Sequence, residues 1–464
     1  MKKAIYILLL ILGFNSYAQT DSLNTLTYNE FIYNVISEHP IAKSAQLKEK
    51  VAKAKLLSAK GGLDPYLTSS IDQKDFEGKQ YYNLFKNKIT IPTSLGIAIT
   101  GGFDNNSGYN LNPENKTSNS GLWSAGVEID VLQGLLTNPR KTALKQAKVY
   151  QEIAKNQQLE LLNNLVYEAS KAYAEWQQYS SICEILKDNL KLSELYLKNV
   201  KSALASGEKT TIDTLEATVY LQNNQIDLVK YQQLLNEKRL KVENHLWLEN
   251  VPVSLQPNVE PESNIIPHKF DEIPLNNNLD SIPIIAEKSA KKESLILKQK
   301  LNREKLKPKL KLKYNQLLKT NDDNVGVAAL SADNYKWGAS LTFPIFFRNE
   351  RGKLQESKYA VEEINYEIAF KKTEINNKIV ANKRNQQALI TQISLLEKNI
   401  IGYQTLLAAE SKKFEYGESS LFLINKRQEK LIESELKLLS SQNKLILNYL
   451  DYLLLTNNIV PNDL

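Results

Sequence analysis

The sequence predicts a mixed α+β membrane protein built as a tandem duplication, in which each copy supplies a pair of β-strands and a long helical hairpin. Three observations lead to this fold class: an N-terminal segment typical of export, a proline-bracketed helix that occurs twice, and runs of about nine residues that alternate apolar and polar side chains. Of the 464 residues, 24% are charged and 42% are hydrophobic, so the composition is not that of a disordered protein.

The first 18 residues are predicted to form a secretory signal peptide. Two lysines precede an apolar run from Ile5 to Phe14, and a cleavage site follows at Ala18. The run is too short to span a bilayer comfortably, and an uncleaved anchor is the alternative. No later stretch reaches the roughly 18 apolar residues of a membrane-spanning helix, so the mature chain is expected to be exported without one.

The residue types on which most catalytic and metal sites depend are scarce in this chain. It has one cysteine, Cys183, and three histidines, His39, His245 and His268. No HExxH, CxxC, GxSxG or phosphate-loop pattern occurs. The sequence therefore predicts no enzyme, no catalytic residue, no metal and no cofactor, and Cys183 is expected to be a small buried residue. The net charge of +7 comes from mixed charges along helices, which argues against a nucleic-acid partner.

A lysine-rich helix bracketed by prolines occurs twice. Pro40 and Pro65 bracket the first occurrence, and Pro283 and Pro308 bracket the second at an offset of 243 residues. Such internal self-similarity is typical of a duplicated structural unit.

A second correspondence has a different offset. Gly207 in "ASGEKTTIDTLEA" falls on Gly417 in "EYGESSLFLINKR" at an offset of 210, so the first copy carries about 33 extra residues. The segment 77–121 is rich in Asn, Gly and Ser, which predicts a long loop there. The predicted divisions are a signal peptide (1–18), a first repeat (19–248, hairpin tip near Gly207), a connector (249–282) and a second repeat (283–464, tip near Gly417).

The connector, residues 249–282, is rich in proline and asparagine. This composition is unsuited to a core, and it predicts a segment that runs around the outside of the helical part. A disordered linker is the alternative.

Two predicted strands lie in each copy, and each alternates apolar and polar residues. The clearest runs are 123–131, 309–314 and 335–343, and a weaker fourth begins at Leu67. Their length, with aromatic residues at their ends, favours tilted strands of an outer-membrane barrel over the half-buried sheet of a soluble domain. Four strands cannot close a barrel, because the smallest single-chain barrels have about eight, so other chains must complete the sheet. The residues predicted to face the lumen are Lys309, Lys311, Lys313, Lys336, Glu128 and Asp130.

Two very long helices are predicted at 139–205 and 349–416, each about 100 Å long. Shorter helices follow at about 208–249 and 418–456. Each proline-bracketed helix is expected to stack end to end on a shorter helix, so that the two together are about as long as one of the long helices. Apolar steps of four and three residues predict coiled-coil packing with two neighbours, as in a wall of helices. The seam consists of Ile432, Leu436, Leu439, Asn443, Ile446, Leu450 and Leu453, and the stripe beside it of Leu431, Leu438 and Leu445.

With this organisation the chain resembles the TolC-like outer membrane efflux proteins. The resemblance lies in the order of the elements, in "YGESS" from Tyr416 at a hairpin tip, and in the strand-to-helix passages "LTFPIFFRNERGKLQESKYAVEE" and "VEIDVLQGLLTNPRKTALKQAK". It covers nearly the whole mature chain. It implies a homotrimer in outer membrane lipid, whose four strands per chain make a twelve-stranded barrel that continues into an α-helical coiled-coil barrel in the periplasm. It also implies a periplasmic adaptor protein and an inner-membrane pump as partners.

The hairpin tips are candidate parts of a periplasmic gate. The family's second tip usually carries acidic residues six and nine positions after the glycine, where this chain has Leu423 and Lys426. The first tip has Asp213 and Glu216 at those positions, which predicts charge pairs with Lys426 and Arg427 of the same or a neighbouring subunit. The alternative is that Asp213 acts only as a charge at a helix start.

The predicted function is a passive export duct, the outer membrane channel-tunnel of a tripartite efflux or type I secretion system. The alternative is a secreted coiled-coil tether or interaction protein without channel activity. Strand alternation distinguishes the two, because a tether has no reason to present apolar residues outward on four strands.

Overall fold

The computed structural model describes residues 24–263, 278–319 and 331–460. The predicted signal peptide and residues 264–277 of the predicted connector lie outside the described residues. Within the described ranges, no helix is both long enough and apolar enough to cross a membrane.

The contacts divide the chain into two compact units. The first takes its residues from Met1–Lys43, Leu161–Asn276 and Asn377–Leu464, and the second from Ser44–Glu160 and Asn277–Asn376. Each unit therefore contains segments from both halves of the sequence. The division into compact units differs from the predicted division into consecutive repeats, which stays a prediction.

The helices lie close to the bounds that the apolar periodicity predicts. The two longest, of 67 and 68 residues, each end in a turn whose glycine has a positive φ, +80° at Gly207 and +78° at Gly417. Glycine adopts this conformation without steric cost and so ends a helix cleanly. The described helices are α1 (Tyr28–Glu38), α2 (Pro40–Gly61), α3 (Pro139–Ala205), α4 (Thr211–Glu243), α5 (Pro283–Glu304), α6 (Arg348–Glu415) and α7 (Leu421–Leu455).

The core of the first unit is formed by side chains of α1, α3, α4 and α7. Phe31, Tyr173 and Trp176 are among its most buried members, together with Val242 and Leu450. Cys183 is also buried, as its sequence context predicts. On α3 the buried residues recur in steps of three and four, so one face of this helix supplies most of the aromatic core.

The described part of the connector is held by specific contacts. At its start, β6 (Trp247–Leu248) pairs antiparallel with β7 (Val251–Pro252), and further on β8 (Val259–Pro261) pairs in parallel with β1 (Asn24–Leu26). The Tyr173 hydroxyl donates to the Leu26 carbonyl at 2.5 Å and accepts from the Glu262 amide at 3.0 Å. The Arg239 guanidinium donates to the carbonyls of Leu255 and Gln256 at 2.6 Å each. These contacts favour the ordered connector over the disordered linker for residues 249–263, and the course of the whole connector stays a prediction.

The first turn of α2 lies beside the C-terminal end of α4. Lys43 Nζ donates to Asn250 Oδ1 at 3.1 Å, and the ring centroids of His39 and His245 are 5.7 Å apart. The predicted end-to-end stacking of the two helices over their full length stays a prediction.

The second unit contains one antiparallel sheet of six strands in the order β10-β9-β5-β4-β3-β2. The pairing of β5 with β9 joins the two halves of the sequence, so this register cannot arise within one repeat. The strands are β2 (Tyr66–Phe76), β3 (Lys79–Pro92), β4 (Ile97–Ser107), β5 (Leu122–Asp130), β9 (Lys309–Lys319) and β10 (Tyr335–Thr342).

Two of these strands correct the sequence prediction. The segment 77–121 is not a long loop, because β3 and β4 occupy residues 79–107. The described sheet has six strands where the sequence predicts four per chain, so the prediction of four is wrong, and a total of twelve strands in three chains no longer follows from it. The turn between β2 and β3 consists of Glu77 and Gly78, both with positive φ, as in the tight turns that suit two-residue hairpins. The Asn, Gly and Ser content concealed this hairpin.

Candidate functional site: the two-faced sheet and the helix turns

The register places all six residues predicted to face a lumen on one face of the sheet. Glu128 lies opposite Lys313, and Asp130 lies opposite Lys311. In the next pair of strands, Lys336 lies opposite Asn315, which shares the face of the lysines. The alternation in the sequence therefore correctly predicts that these residues share one polar face of the sheet. That this face lines a lumen stays a prediction.

The polar face is the better covered of the two faces. Thr100 and Glu128 are only 3% and 8% exposed, whereas Ile99 and Trp337 on the opposite face are 50% and 67% exposed. A soluble sheet buries its apolar face, and large exposed apolar patches mark contact with a partner or a membrane. This sheet has the inverted arrangement, which fits apolar surroundings on one side and water on the other.

Glu128 is the centre of an ion network that joins three strands. Its carboxylate accepts hydrogen bonds from Lys88 Nζ at 2.5 Å and Lys311 Nζ at 2.7 Å. Beside it, the Thr100 hydroxyl donates to Asn315 Oδ1 at 3.1 Å. Sequence reasoning missed Lys88 and Thr100, although the alternation of "KNKIT" at 86–90 could have indicated a strand.

Gly126 provides the space for this network. A Cβ at that position would lie 2.1 Å from the Tyr314 carbonyl oxygen and 2.3 Å from Asn315 Oδ1. These distances leave no room for a side chain between β5 and β9. Glycine at this position is therefore a packing requirement of the polar face.

Aromatic rings gather on the apolar face. The centroids of Phe103 and Trp123 are 4.7 Å apart, and those of Tyr314 and Tyr335 are 6.0 Å apart in a stacked arrangement. After β10, Phe346 is also exposed. Aromatic residues at strand ends are typical of the interface belts of outer-membrane strands.

The two helix turns in the first unit lie close to each other. Val200, Ala217 and Leu421 form a small buried cluster just behind them. At the turns themselves, Lys209 Nζ lies 4.1 Å from the centroid of the Phe414 ring. The turns after Gly207 and Gly417 thus contact one another within the chain.

Asp213 caps the start of α4. Its Oδ2 accepts from the Thr210 amide at 2.8 Å and from the Thr210 hydroxyl at 2.8 Å, and the Asp213 amide donates back to Thr210 Oγ1. This reciprocal arrangement is a capping box. The hydrogen bonds from Thr210 lower the pKa of Asp213 below its ordinary value. The predicted role as a helix-start charge is therefore present, and it leaves a further role at a gate open.

The basic residues of the second tip pair within their own hairpin. Lys426 Nζ lies 3.2 Å from Glu429 Oε2, and Arg427 Nε lies 3.6 Å from Glu410 Oε2. The Ser419 hydroxyl also donates to Glu410 at 2.5 Å, and its hydrogen bond lowers the pKa of that carboxyl. Among the described residues of one chain, no salt bridge joins these cations to Asp213 or Glu216. Such pairs would have to form between copies.

Leu423, the other residue singled out at the second tip, is exposed. Glu216 lies half-buried on α4, close enough to Tyr196 for its charge to help raise the pKa of that phenol, after the larger effect of burial. All the candidate tip residues thus lie in the two connecting turns or in the first two helical turns of α4 and α7.

Two of the three histidines, His39 and His245, lie side by side. Burial lowers the pKa of His245 to about 4, so both rings are neutral at neutral pH, since burial lowers the pKa of His39 as well. However, the described part of the chain contains no group of three or more His, Cys, Asp or Glu side chains placed to hold a metal ion.

Comparison with solved structures shows the fold. The chain is similar to the outer membrane protein VceC of Vibrio cholerae, with 12% identity over 92% of this chain and 95% of that chain and a TM-score of 0.65. It is similar to the CmeC outer membrane channel of Campylobacter jejuni, with 10% identity over 96% and 93% and a TM-score of 0.66. For the MtrE outer membrane channel of Neisseria gonorrhoeae, the identity is 12% over 96% and 94%, and the TM-score is 0.65.

At the level of sequence, the chain matches no protein-family model and no curated protein. The likeness is therefore one of fold. It spans nearly the full length of both chains in each comparison, and two of these similar structures are outer membrane channels.

Proposed function

We propose that this chain, which has the fold of the TolC-like outer membrane channels, is itself an outer membrane channel-tunnel and serves as a passive export duct. Three copies form the channel. Their sheets lie in the outer membrane, and their helical hairpins extend into the periplasm as a tunnel. The chain binds and releases cargo without chemistry of its own.

The observation that carries the proposal is the inverted sheet. Apolar side chains such as Ile99 and Trp337 stand exposed, while Glu128 with its two lysines occupies the covered face. Lipid chains would contact the apolar face, and water in a lumen would hydrate the polar face. The fold supports the same conclusion independently, because the similar solved structures are outer membrane channels.

The partners belong to the proposal as well. A duct through the periplasm needs a source of energy and cargo at the inner membrane, so a periplasmic adaptor protein and an inner-membrane pump complete a tripartite efflux or type I secretion system. The helix turns at Gly207 and Gly417 are exposed and are the surfaces that such an assembly would engage.

The test combines location, assembly and conductance. We expect the full-length protein to be extracted by detergent from outer membranes as a trimer, and the purified trimer to conduct ions in planar bilayers. A secreted coiled-coil tether would instead appear as a soluble, elongated protein without conductance. That result would refute the channel and leave the tether as the function.

A further inference from the structure

We infer that copies of this chain join edge to edge, β2 of one copy to β10 of the next, so that three copies close a barrel of eighteen strands. This inference rests on the proposed function, and it deepens it by naming the surface that joins the copies and the width of the duct. It follows from the six strands that each chain contributes to one sheet.

Both ends of the sheet are open within the described chain. β2 and β10 are the terminal strands, and every residue of β2 is exposed. In hydrocarbon an unpaired backbone group has no water to bind, so a sheet is stable there only when it closes into a barrel. Six strands are fewer than the roughly eight of the smallest single-chain barrels, so the edges must be satisfied by another copy.

The strand directions permit this pairing. All neighbours in the sheet are antiparallel, and because the number of strands is even, β2 and β10 run in opposite directions. Rotation about a symmetry axis through the barrel preserves strand direction. The β2 strand of one copy therefore meets β10 of the next as an antiparallel pair, and the alternation continues around the ring.

The side chains favour one register. When Asp72 of β2 lies opposite Lys336 of β10, two opposite charges meet on the polar face. On the apolar face Ile71 then lies opposite Trp337. A shift of two residues in one direction places Lys74 opposite Lys336, which sets like charges against each other and is unfavourable. The same shift in the other direction places Ser70 opposite Lys336 and loses the pair of opposite charges.

In this register all eight residues of β10 are paired. Tyr66, the first residue of β2, lies opposite Thr342, the last residue of β10. Leu67 lies opposite Leu341, so the apolar face is continuous across the junction. Asp72 and Lys336 form no salt bridge among the described residues of the chain, and the Lys336 charge interacts with Asp104 on the same face without a direct contact.

The junction sets the width of the duct. Barrel diameter grows roughly linearly with strand number, so eighteen strands give a barrel roughly one and a half times as wide as twelve. Barrels of about 16–18 strands hold an aqueous channel. The outer membrane section is then wide enough that the narrowest point of the duct lies elsewhere.

Disulfide formation tests the junction in the intact protein. In a Cys183→Ala background, Ser70→Cys with Gly338→Cys places two thiols opposite each other in the proposed register, and a Cβ at Gly338 meets no atom within 4 Å. On mild oxidation we expect covalent dimers and trimers on non-reducing gels. We expect at least ten-fold less product from the misaligned pair Ser70→Cys with Thr342→Cys.

Ser70→Cys with Lys86→Cys is the positive control, because these residues are directly opposite each other within one chain. It should oxidise without an increase in mass. If the wild-type protein is a membrane trimer and this control oxidises, but the Ser70–Gly338 pair gives no cross-linked species, the junction is wrong and the channel stands. A protein that is soluble and not trimeric would overturn both.

Counting strands in a density map of the detergent-extracted trimer gives an independent answer. Eighteen strands support the inference. Twelve strands, with β3 and β4 outside the wall, overturn it.

Discussion

At the scale of single residues, Glu128 shows how the polar face is held together. It is almost fully covered, yet it carries a charge, and a covered charge is tolerated only when it is paired and hydrogen-bonded. Lys311 on the neighbouring strand β9 and Lys88 on β3, which lies beyond β4, supply that pairing. The network depends on β3, which is one of the two strands that the sequence conceals.

We predict that Glu128→Gln lowers the stability of the assembled sheet. The loss is about 1–2 kcal/mol, at the low end for an unpaired group, because the lysine side chains are 46% and 34% exposed and can reach water. The readout is the temperature at which the membrane-extracted protein unfolds on SDS gels. Asp130→Asn is the matched control, since it removes a charge from the same strand and face. Equal shifts for both variants would show that the network adds nothing.

The capping box at Asp213 is expected to make the stability of the first turn of α4 depend on pH. Its pKa is lowered in the folded chain by the hydrogen bonds from Thr210, so the cap contributes stability above the ordinary pKa of about 4 and loses it as the pH falls through the lowered value. We expect the protection factors of amides in the first turn of α4 to fall as the pH is lowered below about 4. Asp213→Asn should remove this pH dependence. A profile that is the same in both proteins would contradict the assignment.

At the scale of elements, the strand β9 tests which side of the sheet is wet. Cysteines in place of Lys309, Lys311 or Lys313 should react with a water-soluble thiol reagent in intact membranes. Cysteines in place of Leu310 or Leu312 should resist it, because those residues lie on the opposite face. The measurement is the extent of labelling by mass, with Cys183 replaced by alanine. The reverse pattern would mean that the face with the leucines, and not the face with the lysines, contacts water.

Substitutions in the last helix, α7, test the predicted coiled-coil seam. Leu450 is buried in the core of the first unit, whereas Leu436 is only half-buried within one chain. A lysine in an apolar interface costs several kcal/mol unless its charge reaches water. We therefore expect Leu450→Lys to prevent folding of the helical part. Leu436→Lys should leave the chain folded but remove the trimer.

Lys437→Glu on the same helix is the control for these two variants. Lys437 is exposed and pairs with Glu433, so its reversal costs only a few tenths of a kcal/mol. Native mass spectrometry of the extracted protein measures the assembly. If the seam variants assemble as well as the control does, the coiled-coil assignment is wrong.

At the scale of the whole molecule, the helix tips are the proposed gate. Our hypothesis is that Asp213 and Glu216 of one copy pair with Lys426 and Arg427 of another and hold the resting mouth narrow. Exposed pairs are worth about 0–1 kcal/mol each, and three-fold repetition multiplies the effect. We expect Asp213→Asn with Glu216→Gln to raise single-channel conductance, and Lys426→Glu to raise it more.

Lys437→Glu, on the same helix but away from the tip, is expected to leave the conductance unchanged. If all the tip variants conduct like the wild-type protein, the charged gate is wrong. Leu423, which is exposed near the same tip, is then the next residue to change.

The sequence by itself determined the elements whose signals are local. The long helices follow from apolar steps of three and four residues, and they end where Gly207 and Gly417 can adopt a positive φ. The faces of β5, β9 and β10 follow from strict alternation. These features depend on neighbours along the chain, so they can be read without knowing what they contact.

Only the tertiary structure decided how the strands meet. The hairpin of β3 and β4 was concealed because its Asn, Gly and Ser residues resemble a loop until β2 and β5 pair with it on either side. The partners of Glu128 come from residues 40 positions before it and 183 after it, and β9 lies next to β5 only through a contact between the halves of the chain. Pairing between distant segments depends on the whole sheet, so it cannot be predicted from a local sequence pattern.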